Sequence, residues 1–447
     1  MPLRIVLVRH GLSSFNVDHR IQGRDDLASL TEVGEAQAQA TGQALADLVF
    51  DVAYSSPLRR AASTAATLLA AQGQGLGASL QDGLLEIDLE PWSGLVRSEL
   101  KERYPDQERQ WRHAPEALEL QRRDGTSYLP LPELMEQALA FKAFLLERHP
   151  QAIDPINQTT VLVVGHNAIL RCLLLALLGL PVQGFRRLRL DNASISVCNL
   201  APGPEGHLAC QLESLNGVGH LGMPLPPKGP GARMLLVRHG ETDWNREGRF
   251  QGQIDIPLNA NGRAQAEAAS GFLSPVAIQR AYSSSMTRPR QTAEAILAAH
   301  PGVPLTTAKG LVEIGHGLWE GRLEAEIAEG WPDLLADWKR APETVQMPEG
   351  ETIHDVWARS LATWHGIAAS LDPHETALVV AHDAVNKAIL CSLLTLGPAD
   401  IWAIKQGNGG VTVVDYPTGP DGVPVVAAMN LTNHLGGVLD RTAAGAL

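Results

Sequence analysis

Cysteine is scarce in this chain, and what there is has no pattern. The four are Cys172, Cys198, Cys210 and Cys391, and no two stand at a C-x-x-C spacing. In 447 residues that reads as ordinary reduced thiols and excludes a disulfide framework or a cysteine zinc site. Long apolar runs are also missing. The opening MPLRIVLVRHG is interrupted by Arg4 and reaches Arg9 and His10 within a few residues, so it reads as a first strand and not as a signal peptide. The longest apolar run after it, 172–178, is far short of a membrane span. Positive charge is in deficit: 36 Lys and Arg face 49 Asp and Glu, a formal net charge of −13. An acidic surface repels nucleic acid and anionic lipid. It leaves room for a small phosphorylated metabolite, which needs only a local basic pocket. The expectation is a cytoplasmic protein with no membrane and no nucleic-acid partner; the oligomeric state is left open.

What the chain does contain is itself, twice. IVLVRHGLSSFN begins at Ile5 and MLLVRHGETDWN at Met234; YSSPLRRAASTA answers YSSSMTRPRQTA; LLEIDLEPWSG answers LVEIGHGLWEG; VLVVGHNAILRCLLLALLGL answers ALVVAHDAVNKAILCSLLTL. The offset drifts from 229 residues at His10/His239 to 227 at Glu86/Glu313 and 216 at His166/His382, which implies an insertion in the first copy between Pro115 and His166. A repeat of over two hundred residues is a domain and not a solenoid unit. The expected division is 1–222, a Pro/Gly-rich connector over 223–233, and 234–447.

Local patterns place the repeated motifs. LRIVLV and VLVVG read as strands buried on both faces, 50–54 as a short strand, and 31–48, 57–71 and 167–178 as helices. Thr31 is the expected cap of the first helix, with Asn259 at the matching place; Pro57 is expected in the first turn of the second helix. Glu86 and Glu313 are expected to follow short apolar strands. Alternating strands and helices imply an α/β layered domain with a mostly parallel sheet, whose site lies beyond the carboxyl ends of the strands. Arg9-His10, Ser55-Ser56 and Gly165-His166 each follow a strand and can converge on one rim.

Each copy then offers two histidines, two arginines and a glutamate in the same order: Arg9, His10, Arg60, Glu86 and His166, then Arg238, His239, Arg288, Glu313 and His382. Two arginines can clamp a phosphoryl group. A neutral imidazole can attack phosphorus and carry the phosphoryl group. A histidine at a strand-to-helix junction can donate to a phosphoryl oxygen with help from the helix dipole. A glutamate held protonated can supply the leaving oxygen with a proton. No cofactor is implied and no metal, because side chains meet the charge. His220, His316 and His434 read as loop or tail polar groups, and Trp92 and Trp319 as packing residues.

With these motifs in place, the chain resembles a tandem member of the histidine phosphatase superfamily. The resemblance rests on RHG with a following Asn (Asn16, Asn245), S-S-x-x-x-R-x-x-x-T, L-x-E-I and the late V-V-x-H. It implies two tandem phosphoglycerate-mutase-like three-layer α/β/α domains with mostly parallel central sheets. It implies phosphohistidine at His10 and His239 and proton donors at Glu86 and Glu313. Arg9, Asn16, Arg60 and His166, with Arg238, Asn245, Arg288 and His382, would hold the phosphoryl group. RIQGRDD…LTEVGEAQA, LLEIDLEPWSGL and VVAHDAVNKAIL are similar to the 2-carboxy-D-arabinitol-1-phosphatase group of plants and cyanobacteria, which dephosphorylates sugar phosphates that inhibit rubisco. The implied activity is a metal-independent phosphomonoesterase for small phosphorylated sugars or acids; the alternatives are a phosphoglycerate mutase or an α-ribazole or phosphoserine-type phosphatase.

The copies differ around this shared set. Gln22, Gly23, Gln251, Gly252, Glu241 and Glu351 are expected to line the substrate pockets. The first copy has Leu12 where the second has Glu241, and DGTSYLPLPEL in place of PEGETIHDV, so the second copy is expected to supply most turnover. A mutase should be basic between its glutamate and last histidine; APETVQMPEGET in the second copy is mostly acidic or neutral, which favours hydrolysis, while the first copy carries Arg122-Arg123 there and leaves the choice open. Phosphatase activity should survive EDTA, because no metal-ligand spacing appears and arginines supply the charge. Complete loss on chelation, restored by magnesium, would contradict this reading.

Overall fold

The computed structural model describes residues 3–150, 158–203 and 208–442. The chain forms two compact units that divide at Met223/Pro224, with 211–215 grouping with the second. Ala232 and Arg233, at the far end of the expected connector, are already paired as the first residues of a strand.

In the first unit, β1 (Leu3–Arg9), β2 (Val52–Ser55), β3 (Ala78–Leu80) and β4 (Thr159–Gly165) are mutually parallel. β5 (Ile195–Pro202) runs antiparallel to β1, giving the order β5-β1-β4-β2-β3. The helices are α1 (Glu32–Ala44), α2 (Arg59–Gln72), α3 (Pro130–Arg148) and α4 (Asn167–Leu178). α1 packs on α2 and α3 on α4, so β1 and β4 are buried on both faces, as their unbroken apolar sequences require. The second unit repeats this plan with β6 (Ala232–Arg238), α5 (Ala260–Leu273), β7 (Arg280–Ser284), α6 (Thr287–Leu297), β8 (Leu305–Ala308), α7 (Ile353–Ala369), β9 (Thr376–Ala381), α8 (Asp383–Leu393), β10 (Val411–Tyr416) and β11 (Val425–Leu431). Its order is β8-β7-β9-β6-β10-β11, with β8, β7, β9 and β6 parallel and β10 antiparallel to both β6 and β11. Both units are three-layer α/β/α domains with mostly parallel sheets.

Register brings the motifs together. Arg9 lies opposite Gly165 and Ser55 opposite Val164, so His10, Ser56 and His166 leave the sheet side by side. In the second unit Arg238 lies opposite Ala381 and Ser283 opposite Val380, with the same result for His239, Ser284 and His382. The expected caps form: Thr31 Oγ1 accepts from Gly34 N at 3.1 Å and Asn259 Oδ1 from Gly262 N at 2.8 Å. The glycine in each capped turn has a separate reason. A Cβ on Gly34 would stand 2.1 Å from the Leu12 carbonyl oxygen, and one on Gly262 2.0 Å from that of Glu241. The chain leaving each RHG motif crosses the helix at that point, and only glycine lets the backbones meet.

Three local expectations are corrected. α1 stops at Ala44, where Leu45 N turns back to the carbonyl of Gly42, instead of continuing to 48. Pro57 lies ahead of α2, because Ser56 N still bonds to Val164 of the sheet and the helix starts only after the extended Leu58. Glu86 and Glu313 follow tight 3₁₀ turns, Asp82–Leu84 and Lys309–Leu311, rather than strands. Part of the insertion is a hairpin of Leu120–Gln121 with Ser127–Tyr128, unmatched among the described residues of the second unit; residues 151–157 lie outside the description. Trp92 and Trp319 are fully buried, as packing residues should be. No helix among the described residues is long and apolar enough to cross a membrane.

Candidate active site

Each site is built on a histidine ring held from behind. His10 Nδ1 lies 2.7 Å from the carbonyl oxygen of Gly11, and His239 Nδ1 lies 2.7 Å from that of Gly240. A carbonyl can only accept, so Nδ1 carries the proton and Nε2 keeps its lone pair. The carbonyl is itself fixed: Gly11 N donates to Thr64 Oγ1 at 3.0 Å, and Gly240 N to Thr292 Oγ1 at 3.1 Å. In the second unit Arg288 Nε donates to His239 Nε2 at 3.2 Å, which requires the same tautomer.

Two guanidiniums flank each ring; Arg60, Arg238 and Arg288 are buried and Arg9 is partly buried. Arg60 donates to the carbonyls of Asp25 (2.7 Å) and Gly23 (2.8 Å), and Arg288 to those of Ile254 (3.3 Å) and Gly252 (2.8 Å). Arg9 is held by the Leu190 carbonyl at 2.7 Å and Arg238 by that of Gln406 at 2.5 Å. These acceptors are neutral, so the positive charge stays available to an anion. The Nε atoms of Arg9, Arg60 and Arg238 are buried without a hydrogen-bond partner. Burial pulls Arg9 and Arg288 down to about 10, still protonated at neutral pH.

The second histidine caps the next helix. His166 Nε2 lies 2.8 Å from Ser56 Oγ and His382 Nε2 2.9 Å from Ser284 Oγ; Nδ1 of each is buried without a partner. The two rings of each site stand edge to face, with centroids 5.2 Å and 5.1 Å apart. Burial, followed by the neighbouring arginines, holds His10 and His239 well below the ordinary imidazole range. Burial and Arg60 do the same for His166, and burial and Arg288 for His382. The glutamates rest on the amino termini of the same helices. Glu86 accepts from the amides of Ile87 (2.9 Å), Ala168 (3.1 Å) and Ile169 (3.1 Å), and Glu313 from those of Ile314 (3.0 Å) and Ala384 (3.4 Å). Burial, with Asp383 second, pushes the Glu313 carboxyl above its ordinary range. Such a site can take a dianion between cationic donors and present an unprotonated imidazole nitrogen to it, and in the second unit Glu313 is shifted toward its protonated form.

The profile of the histidine phosphatase superfamily (branch 1) matches residues 5–208 and again 234–430. The chain belongs to the histidine phosphatase superfamily. It is similar to the 2-carboxy-D-arabinitol-1-phosphatase of Triticum aestivum, 29% identical over 97% of this chain and 86% of the relative. It is also similar to phosphoserine phosphatase 1 of Hydrogenobacter thermophilus, 29% identical over 46% of this chain and 94% of the relative. Among solved structures, Bacillus stearothermophilus YhfR superposes with a TM-score of 0.43 at 29% identity, over 46% of this chain and 99% of that one. The family and its relatives make this chain a phosphoric monoester hydrolase.

Not every expected pocket residue faces this histidine phosphatase site. Arg238, His239, Asn245, Gln251, Gly252 and Glu313 line one cavity with His316 and Asp383. Asn16 Oδ1 accepts from Ser13 N (3.2 Å) and Asn192 Nδ2 (3.1 Å), while Gln22 Oε1 accepts from Ser13 Oγ (3.1 Å), so both brace the turn after His10. Gly23 contributes its carbonyl to Arg60. Glu241 is directed elsewhere: Asn259 (2.8 Å) and Asn261 (3.0 Å) hold its carboxylate, and it lines a separate cavity. Glu351 is spent on structure, pairing with Arg359 at 2.8 Å and accepting from Gly315 N at 2.9 Å. Glu241 and Glu351 are thus engaged in holding loops.

The sequence reading missed several groups. His316 is fully buried in the cavity wall, its Nδ1 2.9 Å from Met347 Sδ, and burial takes it down to about 3. It is no loose polar group. His220 and His434 bond to the carbonyls of Ala193 (3.0 Å) and Gly409 (3.1 Å), and burial takes both to about 4. Ser56 and Ser284, Thr64 and Thr292, and Asn192 and Asn408 all orient site histidines or their backbone. The signal was available: each pair occupies matching places in the two copies, and LDNAS against QGNGG extends the self-comparison to the asparagines.

The buried histidines set an acid limit. Their pKa values lie below the ordinary 6.5 in the folded protein and return to it on unfolding, so the unfolded chain takes up protons first as pH falls. This stability is intact above about pH 6.5 and is lost below it. The melting temperature should fall steadily from pH 7 to 5.5, while ¹⁵N spectra of histidine-labelled protein show His10 and His239 neutral and Nδ1-protonated throughout. Imidazolium signals from either residue at pH 6 would contradict this.

Proposed function

We propose that each unit hydrolyses a small phosphomonoester through a phosphohistidine, at His10 Nε2 in the first and His239 Nε2 in the second, with no metal ion. The observation that carries this reading is the ring held at Nδ1 by the next carbonyl in both units, with Nε2 of His239 accepting from Arg288 in the second. Arg9 and Arg60, or Arg238 and Arg288, neutralise the phosphoryl oxygens, and His166 or His382 donates to them through the Nδ1 hydrogen. As Nε2 attacks phosphorus, the P–O ester bond breaks and the leaving alkoxide takes the proton of Glu86 or Glu313. The resulting carboxylate then draws a proton from water, whose oxygen attacks phosphorus, breaks the P–N bond and frees the imidazole and inorganic phosphate. Asn16 and Asn245 keep the turn beside the nucleophile in place. Substrates are small phosphorylated sugars or acids; the wheat relative, alike over nearly the whole chain, makes 2-carboxy-D-arabinitol 1-phosphate the first to test.

The test is phosphate release from a metabolite panel by the wild type, His10→Ala, His239→Ala and the double variant. Each single variant should lose one site's substrates and the double variant should be inactive. The proton donor has a sharper signature. In His10→Ala protein, Glu313→Gln should slow sugar-phosphate hydrolysis by roughly a hundred-fold, the usual scale of general acid catalysis. It should matter far less for p-nitrophenyl phosphate, whose phenolate leaves unaided. Equal losses on both would show that Glu313 holds the phosphate or the fold instead.

A further inference from the structure

One loop in each unit holds both the nucleophile's backbone and an arginine. In the first unit Asn192 Nδ2 donates to the carbonyls of His10 (3.0 Å) and Gly11 (3.2 Å), and the Leu190 carbonyl accepts from Arg9. In the second, Asn408 Nδ2 donates to the His239 carbonyl (3.1 Å) and the Gln406 carbonyl accepts from Arg238. The loops align as RLDN against KQGN: the asparagine is shared, Lys405 keeps the charge of Arg189, Gln406 replaces Leu190, and Asp191 becomes Gly407.

In the first unit that aspartate secures the loop. Asp191 N donates to Asn216 Oδ1 at 2.7 Å, Asn216 Nδ2 donates to Asp191 Oδ2 at 2.9 Å, and Arg189 pairs with Asp191 Oδ1 at 2.9 Å. Asn430 matches Asn216: both have positive φ, and their amides donate to Thr412 Oγ1 and Ser196 Oγ respectively. Asn430 Oδ1 accepts from Gly407 N at 2.7 Å, as before, but its Nδ2 now reaches Asp440 Oδ2 at 3.3 Å. Lys405, which stands where Arg189 does, lies 3.7 Å from the same carboxylate. A Cβ on Gly407 would fall 2.5 Å from Asp440 Oδ2. Thr442 ties the segment to the loop, its Oγ1 accepting from Asn408 N at 3.0 Å and donating to Asp440 Oδ1 at 2.7 Å. The Asp440 side chain is 1% exposed.

We propose that Asp440 is a positioning residue of the second site, supplying from beyond β11 the carboxylate that Asp191 supplies from within the loop of the first. Gly407 is the vacancy that admits it. Through Asn430, Lys405 and Thr442 it holds the loop that presents Arg238 and His239. This rests on His239 being the second site's nucleophile.

The experiment uses the full chain with His10→Ala, so that only the second site reports, and p-nitrophenyl phosphate as probe. Asp440→Ala should lower kcat at least about tenfold, the scale of a displaced catalytic group, with a smaller change in KM. Adding Gly407→Asp should restore most of that loss, because it rebuilds the first unit's arrangement. Gly407→Asp alone should impair the site, since two carboxylates would compete for one space. In a His239→Ala chain, Asp440→Ala should leave first-site turnover unchanged. An unchanged kcat, a loss that Gly407→Asp does not recover, or a lowered melting temperature with kcat intact would each overturn the proposal. If His10→Ala protein shows no turnover that His239→Ala abolishes, the nucleophile assignment fails instead, whatever Asp440 does.

Discussion

Everything at these two sites depends on the contact between a histidine Nδ1 and the carbonyl of the residue after it. That bond commits the imidazole's one proton to the protein and leaves Nε2 unprotonated. It exists only because the chain bends sharply after the histidine, and the bend exists because Gly11 meets Gly34, and Gly240 meets Gly262, at distances that no side chain allows. The two guanidiniums and the burial then act on a ring already in the right tautomer. They suppress its protonation, so that a group surrounded by positive charge stays neutral and can approach an anion.

The cost of this arrangement is the burial of cations, and the structure meets it with backbone carbonyls. Asp25, Gly23, Leu190, Ile254, Gly252 and Gln406 all accept from site arginines through main-chain oxygen. A carbonyl satisfies a donor without cancelling its charge, whereas a carboxylate would do both. The exception is telling. Asp383 sits 3.5 Å from Arg238 and pairs with Lys387 at 2.8 Å, where the first unit has Asn167 and Arg171. The second site carries an extra buried carboxylate next to Glu313; the first has an amide at that place.

The repeat made the core of this legible from sequence. Arg9, His10, Arg60, His166 and their second-unit counterparts end or follow strands or open helices, and a parallel sheet gathers strand ends without further information; Glu86 and Glu313 follow 3₁₀ turns instead. The caps at Thr31 and Asn259 were legible because capping is local. Less could be read where geometry depends on a distant partner. Glu241 and Glu351 look like pocket acids, yet Asn259 and Asn261 claim one and Arg359 the other. His316 looks like a loop histidine, and only the packing of Met347 and Phe250 shows it to be cavity wall. The proline before α2 misplaced a helix start because the sheet keeps Ser56 extended.

The central claim is covalent: phosphate passes through nitrogen at two specific rings. The most direct measurement is an alkaline denaturing quench during turnover, followed by mass spectrometry of the peptides that contain His10 and His239. The account predicts a phosphoryl group on both in the wild type, on His239 alone in His10→Ala, on His10 alone in His239→Ala, and on neither in the double variant. Turnover with no phosphohistidine at any time, or phosphate carried on a serine or aspartate, would contradict it.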